Sequence, residues 1–170
     1  IWIEANPKIY ENLKDNLTKY KLQKAFCRLM LDEENKEYLF NISNNDGASS
    51  SIYNFADINN EKMFSGRKFN MEDKIKIKST SLDNFFEKEK IDPKNFNHWI
   101  IDIQGSELKF LNGAKKSLKY CNSLIAEVST KEIYKGGATW DEVQKFLNQQ
   151  GFVAISLPER VHTDILFLRK

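Results

Sequence analysis

The residues of this chain best placed to do chemistry are acids at the ends of short apolar runs. One stretch concentrates them: His98-Trp99-Ile100-Ile101-Asp102-Ile103-Gln104-Gly105-Ser106-Glu107-Leu108. Residues 99–103 are apolar apart from Asp102, rich in β-branched side chains and followed by a glycine, which reads as a strand buried on both faces. Residues 106–111 read as the first turn of a helix. The order strand, glycine turn, helix puts Asp102, Gln104 and Glu107 at or near the strand's C-terminal end. In open parallel α/β sheets that is the edge where ligands bind. A carboxylate within a buried strand needs a partner, and the nearby helix N-terminus offers free N–H groups. Glu127 sits near the end of a second apolar run, residues 124–128, and could share a site with Asp102. Two carboxylates that close either raise one pKa or hold a divalent cation.

The elements that would position these groups follow from the pattern. Ile1-Trp2-Ile3 reads as a strand ending at Glu4. Asn6-Pro7 starts a helix, with Asn as cap and Pro in the first turn, and Ile9, Leu13 and Leu17 repeat at helical spacing to about residue 20. Residues 25–31 read as a second strand ending at Asp32, and 37–42 as a third. A polar turn between them predicts a hairpin. Residues 43–51 (SNNDGASSS) are small or turn-favouring throughout and read as a loop. Residues 52–73 have weak periodicity and predict a long excursion. Lys74-Ile75-Lys76-Ile77-Lys78 alternates as a half-exposed strand does. Ser81-Leu82-Asp83 opens a short helix. The helix after Ser106 is interrupted at Asn112-Gly113. Thr139-Trp140-Asp141-Glu142 is a capping box, and Gly151 closes its helix. Residues 152–157 and 163–169 are two final strands about a turn at Pro158, antiparallel because their connection is too short for a crossover. Strands alternating with helices imply an α/β sandwich with a mostly parallel sheet.

The bulk properties bound the function. At 170 residues, 41% apolar and 29% charged, the chain reads as one globular domain over residues 1–170. A net charge of +2 with no basic block interleaved with aromatics argues against nucleic acid as a partner. Cys27 and Cys121 form no metal-binding spacing and read as free thiols in a reducing, cytoplasmic setting. No run is long and apolar enough for a membrane span.

Several of these patterns together resemble the FkbM family of S-adenosylmethionine-dependent methyltransferases. They are Ile3-Glu4-Ala5-Asn6-Pro7, Ser81-Leu82-Asp83, Ile101-Asp102-Ile103-Gln104-Gly105-Ser106-Glu107, Leu111-Asn112-Gly113-Ala114, Glu127-Val128, Gly151-Phe152 and Asp164-Ile165-Leu166-Phe167. The resemblance spans nearly the whole chain. It implies a Rossmann-like class I methyltransferase sheet in three layers, with an antiparallel last strand. It also implies S-adenosylmethionine as cofactor and O-methylation of a hydroxyl on a sugar, glycoconjugate or related natural product. One departure stands out. The family's first strand and glycine-rich cofactor loop have no counterpart here, since Gly47, Gly66 and the pair Gly136-Gly137 belong to no such run. The expectation is therefore an N-terminally truncated domain, with two apolar strand edges facing a gap.

On that resemblance Glu4 binds the ribose hydroxyls; its plainer reading is a solvated strand-end acid. Asp32 faces the adenine or its rim, or is simply an exposed turn acid. Residues 49–51, with Ser50 at their centre, line the cofactor pocket or are ordinary loop. Asp102 works on the reaction side, as base or as counter-charge to the sulfonium, or else caps the following helix. Gln104 orients substrate or cofactor, and Gly105 permits a close backbone approach. Glu107 reads first as an acid favoured by the helix dipole. Glu127 joins Asp102 as the second catalytic candidate. Magnesium is a minor option and no metal ligand set is assigned. His98 lies at the opposite edge and reads as structural. His162 reads as solvated, an outside candidate for a base. Tyr134 and Trp140 could form a wall on which a sugar stacks, or be core. Asp83 reads as a helix cap. The competing class is a non-catalytic α/β binding module without the cofactor loop.

Overall fold

The computed structural model describes residues 1–56 and 68–170. The elements are β1 (Trp2–Glu4), α1 (Pro7–Leu17), β2 (Ala25–Cys27), β3 (Leu29–Met30), β4 (Glu37–Ser43), β5 (Met71–Thr80), α2 (Leu82–Lys88), β6 (His98–Ile101), α3 (Glu107–Asn112), β7 (Ser123–Ser129), α4 (Trp140–Gln149), β8 (Phe152–Ala154) and β9 (His162–Arg169). Half of the excursion expected over residues 52–73, the stretch 57–67, falls outside the described residues. No described helix is long and apolar enough to cross a membrane.

The strands form a mixed α/β fold in three sheets, ordered β1-β2, β3-β5-β4 and β6-β7-β9-β8. Among the described residues three pairings are parallel and three antiparallel, so the expectation of a mostly parallel sheet is corrected. The last strand is antiparallel to both neighbours, as its short connection requires. Residues 25–31 break at Arg28: β2 pairs with β1, while β3 turns to pair with β5. The hairpin expected between this segment and β4 does not form. Instead β5 lies between β3 and β4. The physical reason is in the turn. The Ser79 hydroxyl donates to the Glu33 carbonyl (2.6 Å), and the Asn35 N–H donates to the Ser79 carbonyl (2.8 Å). The polar residues that would close a hairpin are thus tied to the end of β5.

Packing explains the helices. Asn6 accepts the Lys8 N–H to cap α1, and Thr139 with Glu142 forms the expected capping box on α4. Leu111, Leu147, Phe152 and Phe167 are fully buried where α3 and α4 cover the four-stranded sheet. Trp140 belongs to this core against Phe167, which settles it as packing rather than a stacking wall. A second cluster joins α2 to β3 through Phe85, Phe86, Met30 and Ala114. Gly113 has a specific cause: a Cβ there would fall 2.1 Å from the Leu31 carbonyl oxygen. Asp83 accepts the N–H groups of Lys116 (2.9 Å) and Ser117 (2.8 Å), so it caps the 3-10 turn Ser117–Tyr120 while Ser81 caps α2. Arg169 ends the chain's last strand by donating to the carbonyls of Cys121 (2.7 Å), Gln150 (3.0 Å) and Leu118, with its guanidinium 4.3 Å from the Phe152 ring centroid.

Glu34 joins the turn to α2. Its carboxylate accepts from the Thr80 hydroxyl (2.8 Å), the Asn84 amide (3.1 Å) and the Lys88 ammonium (2.5 Å). Partial burial alone would raise its pKa, but these donors outweigh it and bring the group from 4.5 to about 2. A depressed acid stabilises the fold above its unfolded pKa and loses that contribution as pH falls toward the folded one. Glu34→Gln should therefore be less stable than the parent near neutral pH, with the gap closing between pH 4.5 and about 2. Urea unfolding across that range measures it. A gap that stays constant with pH would show that the charge is not responsible.

Candidate functional site

The site is built on the turn that follows β6. The strand ends at Ile101, one residue before Asp102, so Asp102 lies just past the strand and is exposed rather than buried within it. Nor is β6 covered on both faces, because Ile100 is 78% exposed. Gln104 (φ 53°) and Gly105 (φ 90°) take the left-handed conformation, which disfavours any residue with a Cβ. Glu107 explains how it is held. Its Oε1 accepts the N–H of Ile103 (3.2 Å) and of Gly105 (3.2 Å), one on each side of Gln104. The Ser51 hydroxyl donates to the Gln104 carbonyl (2.7 Å), and the Ala138 N–H to the Gly105 carbonyl (2.9 Å). A Cβ on Gly105 would lie 3.0 Å from Tyr134, so the close approach this glycine permits is to that ring. Glu107 is buried at 3% exposure. Burial lifts its pKa to about 7, against the pull of the N–H groups and with a further push from Glu127.

The turn aims the Gln104 side chain at two acids. Its amide NH₂ donates to Asp102 Oδ1 and to Glu127 Oε2 (2.8 Å). Its Oε1 accepts from the Tyr134 hydroxyl. Flipping the amide would point a carbonyl at both carboxylates, so Tyr134 and the acids together fix its orientation. Tyr134 is 3% exposed and its hydroxyl also lies 3.4 Å from the Ser49 carbonyl; burial drives its pKa up. It is a buried hydrogen-bonding residue, the core alternative rather than the stacking wall.

Glu127 continues the network. Its Oε1 lies 2.8 Å from His162 Nε2, and His162 Nδ1 lies 2.8 Å from Ser129 Oγ. The antiparallel register of β7 and β9 sets this up by placing Ser129 opposite His162. His162 is therefore a partly buried member of the site, not the solvated turn residue expected. Burial raises the pKa of Glu127, His162 opposes this, and Asp102 adds to it. Burial would lower that of His162, but Glu127 outweighs it and the net shift is upward.

Glu4 reaches the same region from the other side. Its Oε1 accepts the Asn6 N–H at 2.6 Å. Burial raises its pKa, with a contribution from the charge of Asp102. Between β1 and β6 lies a cavity of about 1020 Å³ lined by Glu4, Asp102, Gln104 and Ser50, and along its length by Trp2, Ile3, Phe86, Trp99 and Phe110. Among the described residues β1 pairs only with β2, and β6 only with β7, so both strands turn an open edge toward this space.

Of the residues singled out from sequence, the cavity brings together Glu4, Asp102, Gln104 and Ser50. Glu127 joins them through Gln104. Asp32 lies elsewhere, 3.4 Å from the Lys109 ammonium. His98 lines the cavity near Ile100 and bonds Ser123 at 2.5 Å. Sequence reasoning undervalued Glu107, Tyr134 and His162 and passed over Ser129. The one available signal was the i, i+2 spacing of Glu127 and Ser129, which puts both on one face of a strand. Magnesium does not fit as the groups stand: the two carboxylates that would hold it are bridged by amide hydrogens of Gln104. No group of three or more His, Cys, Asp or Glu among the described residues is placed to hold a metal ion.

The family model for the methyltransferase FkbM domain matches residues 1–154 of the 170. The chain belongs to the FkbM methyltransferase family. No curated protein and no solved structure matches it. The matched range takes in Glu4, Asp102, Gln104, Glu107, Glu127 and Ser129, whereas His162 lies beyond it in β9.

The FkbM turn depends on one acceptor atom. Glu107→Ala should orphan two N–H groups at a cost of ~1–3 kcal/mol each, seen as a lowered unfolding free energy and faster hydrogen exchange at Ile103 and Gly105. Glu107→Gln keeps a carbonyl oxygen there and should lose clearly less. Equal losses in the two variants would mean that the carboxylate does not act by accepting these N–H groups.

Proposed function

We propose that this chain is an S-adenosylmethionine-dependent methyltransferase acting on a hydroxyl of a sugar, glycoconjugate or related natural product. The observation that carries the reading is that Glu4 and Asp102, from opposite sides of the fold, present their acids to one cavity. The residues fit the cofactor. The Asn6 N–H donates to Oε1 of Glu4, and the rest of the carboxylate would accept from the ribose hydroxyls. Ser50 adds a polar contact at the cavity wall. A binding volume of several hundred Å³ is ordinary for a ligand of this size.

The cofactor supplies a methyl group on a positively charged sulfur. The chain supplies alignment and charge. Asp102, exposed at the rim, provides a negative charge beside the sulfonium, and Gln104 keeps it there. Asp102 and Glu127 form the reaction-side wall, near which the acceptor oxygen would be held in line with the methyl group. A hydroxyl is a poor nucleophile until its proton is taken, so a base on that wall completes the set. The acceptor is a small molecule or a glycan, with no role for nucleic acid.

Two measurements test this. Titrating S-adenosylhomocysteine into the full-length protein should show saturable binding that Glu4→Ala weakens at least tenfold, which is ~1.4 kcal/mol. No binding by the parent protein would favour the non-catalytic module. Asp102→Asn should keep that binding within about threefold while lowering methyl transfer from labelled S-adenosylmethionine by ~10²-fold or more. Undiminished transfer would remove Asp102 from the reaction.

A further inference from the structure

We propose that His162 takes the proton of the acceptor hydroxyl, with Glu127 setting its tautomer and the Ser129 hydroxyl marking where the acceptor oxygen docks. The inference rests on the methyltransferase reading and names the base that reading lacks. The hydrogen-bond inventory carries it. Glu127 Oε2 already accepts from Gln104, and its Oε1 faces Nε2 of His162. A carboxylate only accepts, so Nε2 carries a hydrogen and the neutral ring leaves its lone pair on Nδ1. Nδ1 meets Ser129 Oγ, a hydroxyl 2.8 Å away that donates to it. A substrate hydroxyl that replaces Ser129 as donor would be held in the same way.

Position and exposure agree. His162 and Ser129 face each other at the C-terminal end of β7, one hydrogen-bonded side chain beyond Gln104, which lines the cavity. The His162 side chain keeps 23% of its surface open and that of Glu127 15%, so an acceptor can arrive from solvent and a proton can leave to it. Among the described residues, the acids Glu127 on β7, Glu107 on α3 and Asp102 after β6 bear on the ring, and Asp164 lies opposite Glu127 on β9. These acids stabilise the imidazolium formed. An imidazole is also a stronger base than an ordinary carboxylate by about two pKa units, which favours His162 over Asp102 for this step.

The step balances. The acceptor O–H bond breaks and an Nδ1–H bond forms. The acceptor oxygen forms its bond to the methyl carbon as the carbon–sulfur bond breaks, its electron pair going to sulfur. The imidazolium then releases its proton to water.

Histidine ¹⁵N NMR on the full-length protein, together with transfer of labelled methyl from S-adenosylmethionine to a panel of methyl glycosides, tests the assignment. Neutral His162 should carry its hydrogen on Nε2, and Glu127→Gln should weaken that preference. The transfer rate should rise with pH through the His162 titration, above the ordinary 6.5. His162→Gln should cut transfer by ~10²-fold or more and flatten that limb, while S-adenosylhomocysteine affinity stays within about threefold. A hydrogen on Nδ1 of the neutral ring, or an unchanged pH limb in His162→Gln, overturns the proposal. A parent protein that does not bind S-adenosylhomocysteine overturns the methyltransferase reading instead, and the tautomer result still judges His162.

Discussion

A single buried carboxylate oxygen holds the centre of this molecule in place. Glu107 Oε1 takes two backbone N–H groups that flank Gln104 and so keeps two successive residues left-handed. Without it the turn would relax toward an ordinary β-turn, since an αL conformation costs a non-glycine residue about 1–2 kcal/mol. Everything chemical at the rim follows from that conformation. It points the Gln104 amide between two acids, lets Gly105 lie against the Tyr134 ring, and leaves Asp102 outside, on the cavity side. Burying an acid for this purpose lifts its pKa to about 7. The gain is a rigid turn at the junction of β6, α3 and the serine loop, which Ser51 ties to Gln104.

Electrostatics at the rim is a problem of like charges, solved with one amide and one imidazole. Asp102 lies close enough to Glu127 that its charge disfavours ionisation of Glu127. Gln104 gives each of them a hydrogen from the same NH₂, which is the one neutral side-chain group able to do so without bringing charge of its own. His162 Nε2 then meets the far side of Glu127 at 2.8 Å. The result is graded: Asp102 stands in the open toward the cavity, and Glu127 is half withdrawn toward the imidazole. Asp102 is the acid on the cavity side, and His162 lies behind Glu127.

How much of this was legible in the sequence depends on range. The run Asp102-x-Gln104-Gly105-x-Glu107 could be read as strand, turn and helix because its signals are local: a β-branched run, a glycine, a helical repeat. The capping box of α4 and the antiparallel last strand were legible for the same reason. The course of β3 and β4 was not. A polar turn between two apolar runs favours a hairpin, and only the hydrogen bonds from Ser79, more than forty residues away, make β5 the better neighbour for both. Burial was the other blind spot. Glu107 in a first helical turn has the same local appearance whether it meets water or a glycine turn. Tyr134 looks equally suited to stacking or to core until Gly105 is brought 3.0 Å from its side chain. The Glu127–His162–Ser129 cluster is a matter of register between two strands far apart in the chain.

The cavity links fold to function in a further way. Its two long sides are strand edges, β1 and β6, each backed by a partner on its other side. Strands present N–H and C=O groups along such edges, while the side chains above and below, among them Trp2, Phe86 and Trp99, are apolar. The space is thus polar along its flanks, apolar on its faces and acidic at the end where Glu4 and Asp102 meet. A ligand with a flat apolar portion and a cationic or hydroxyl-bearing end matches that order, and an anionic one does not. The same arrangement makes the acids interdependent, because the charge of Asp102 already weighs on Glu4 across the cavity. A positive charge placed between them would offset that push on Glu4.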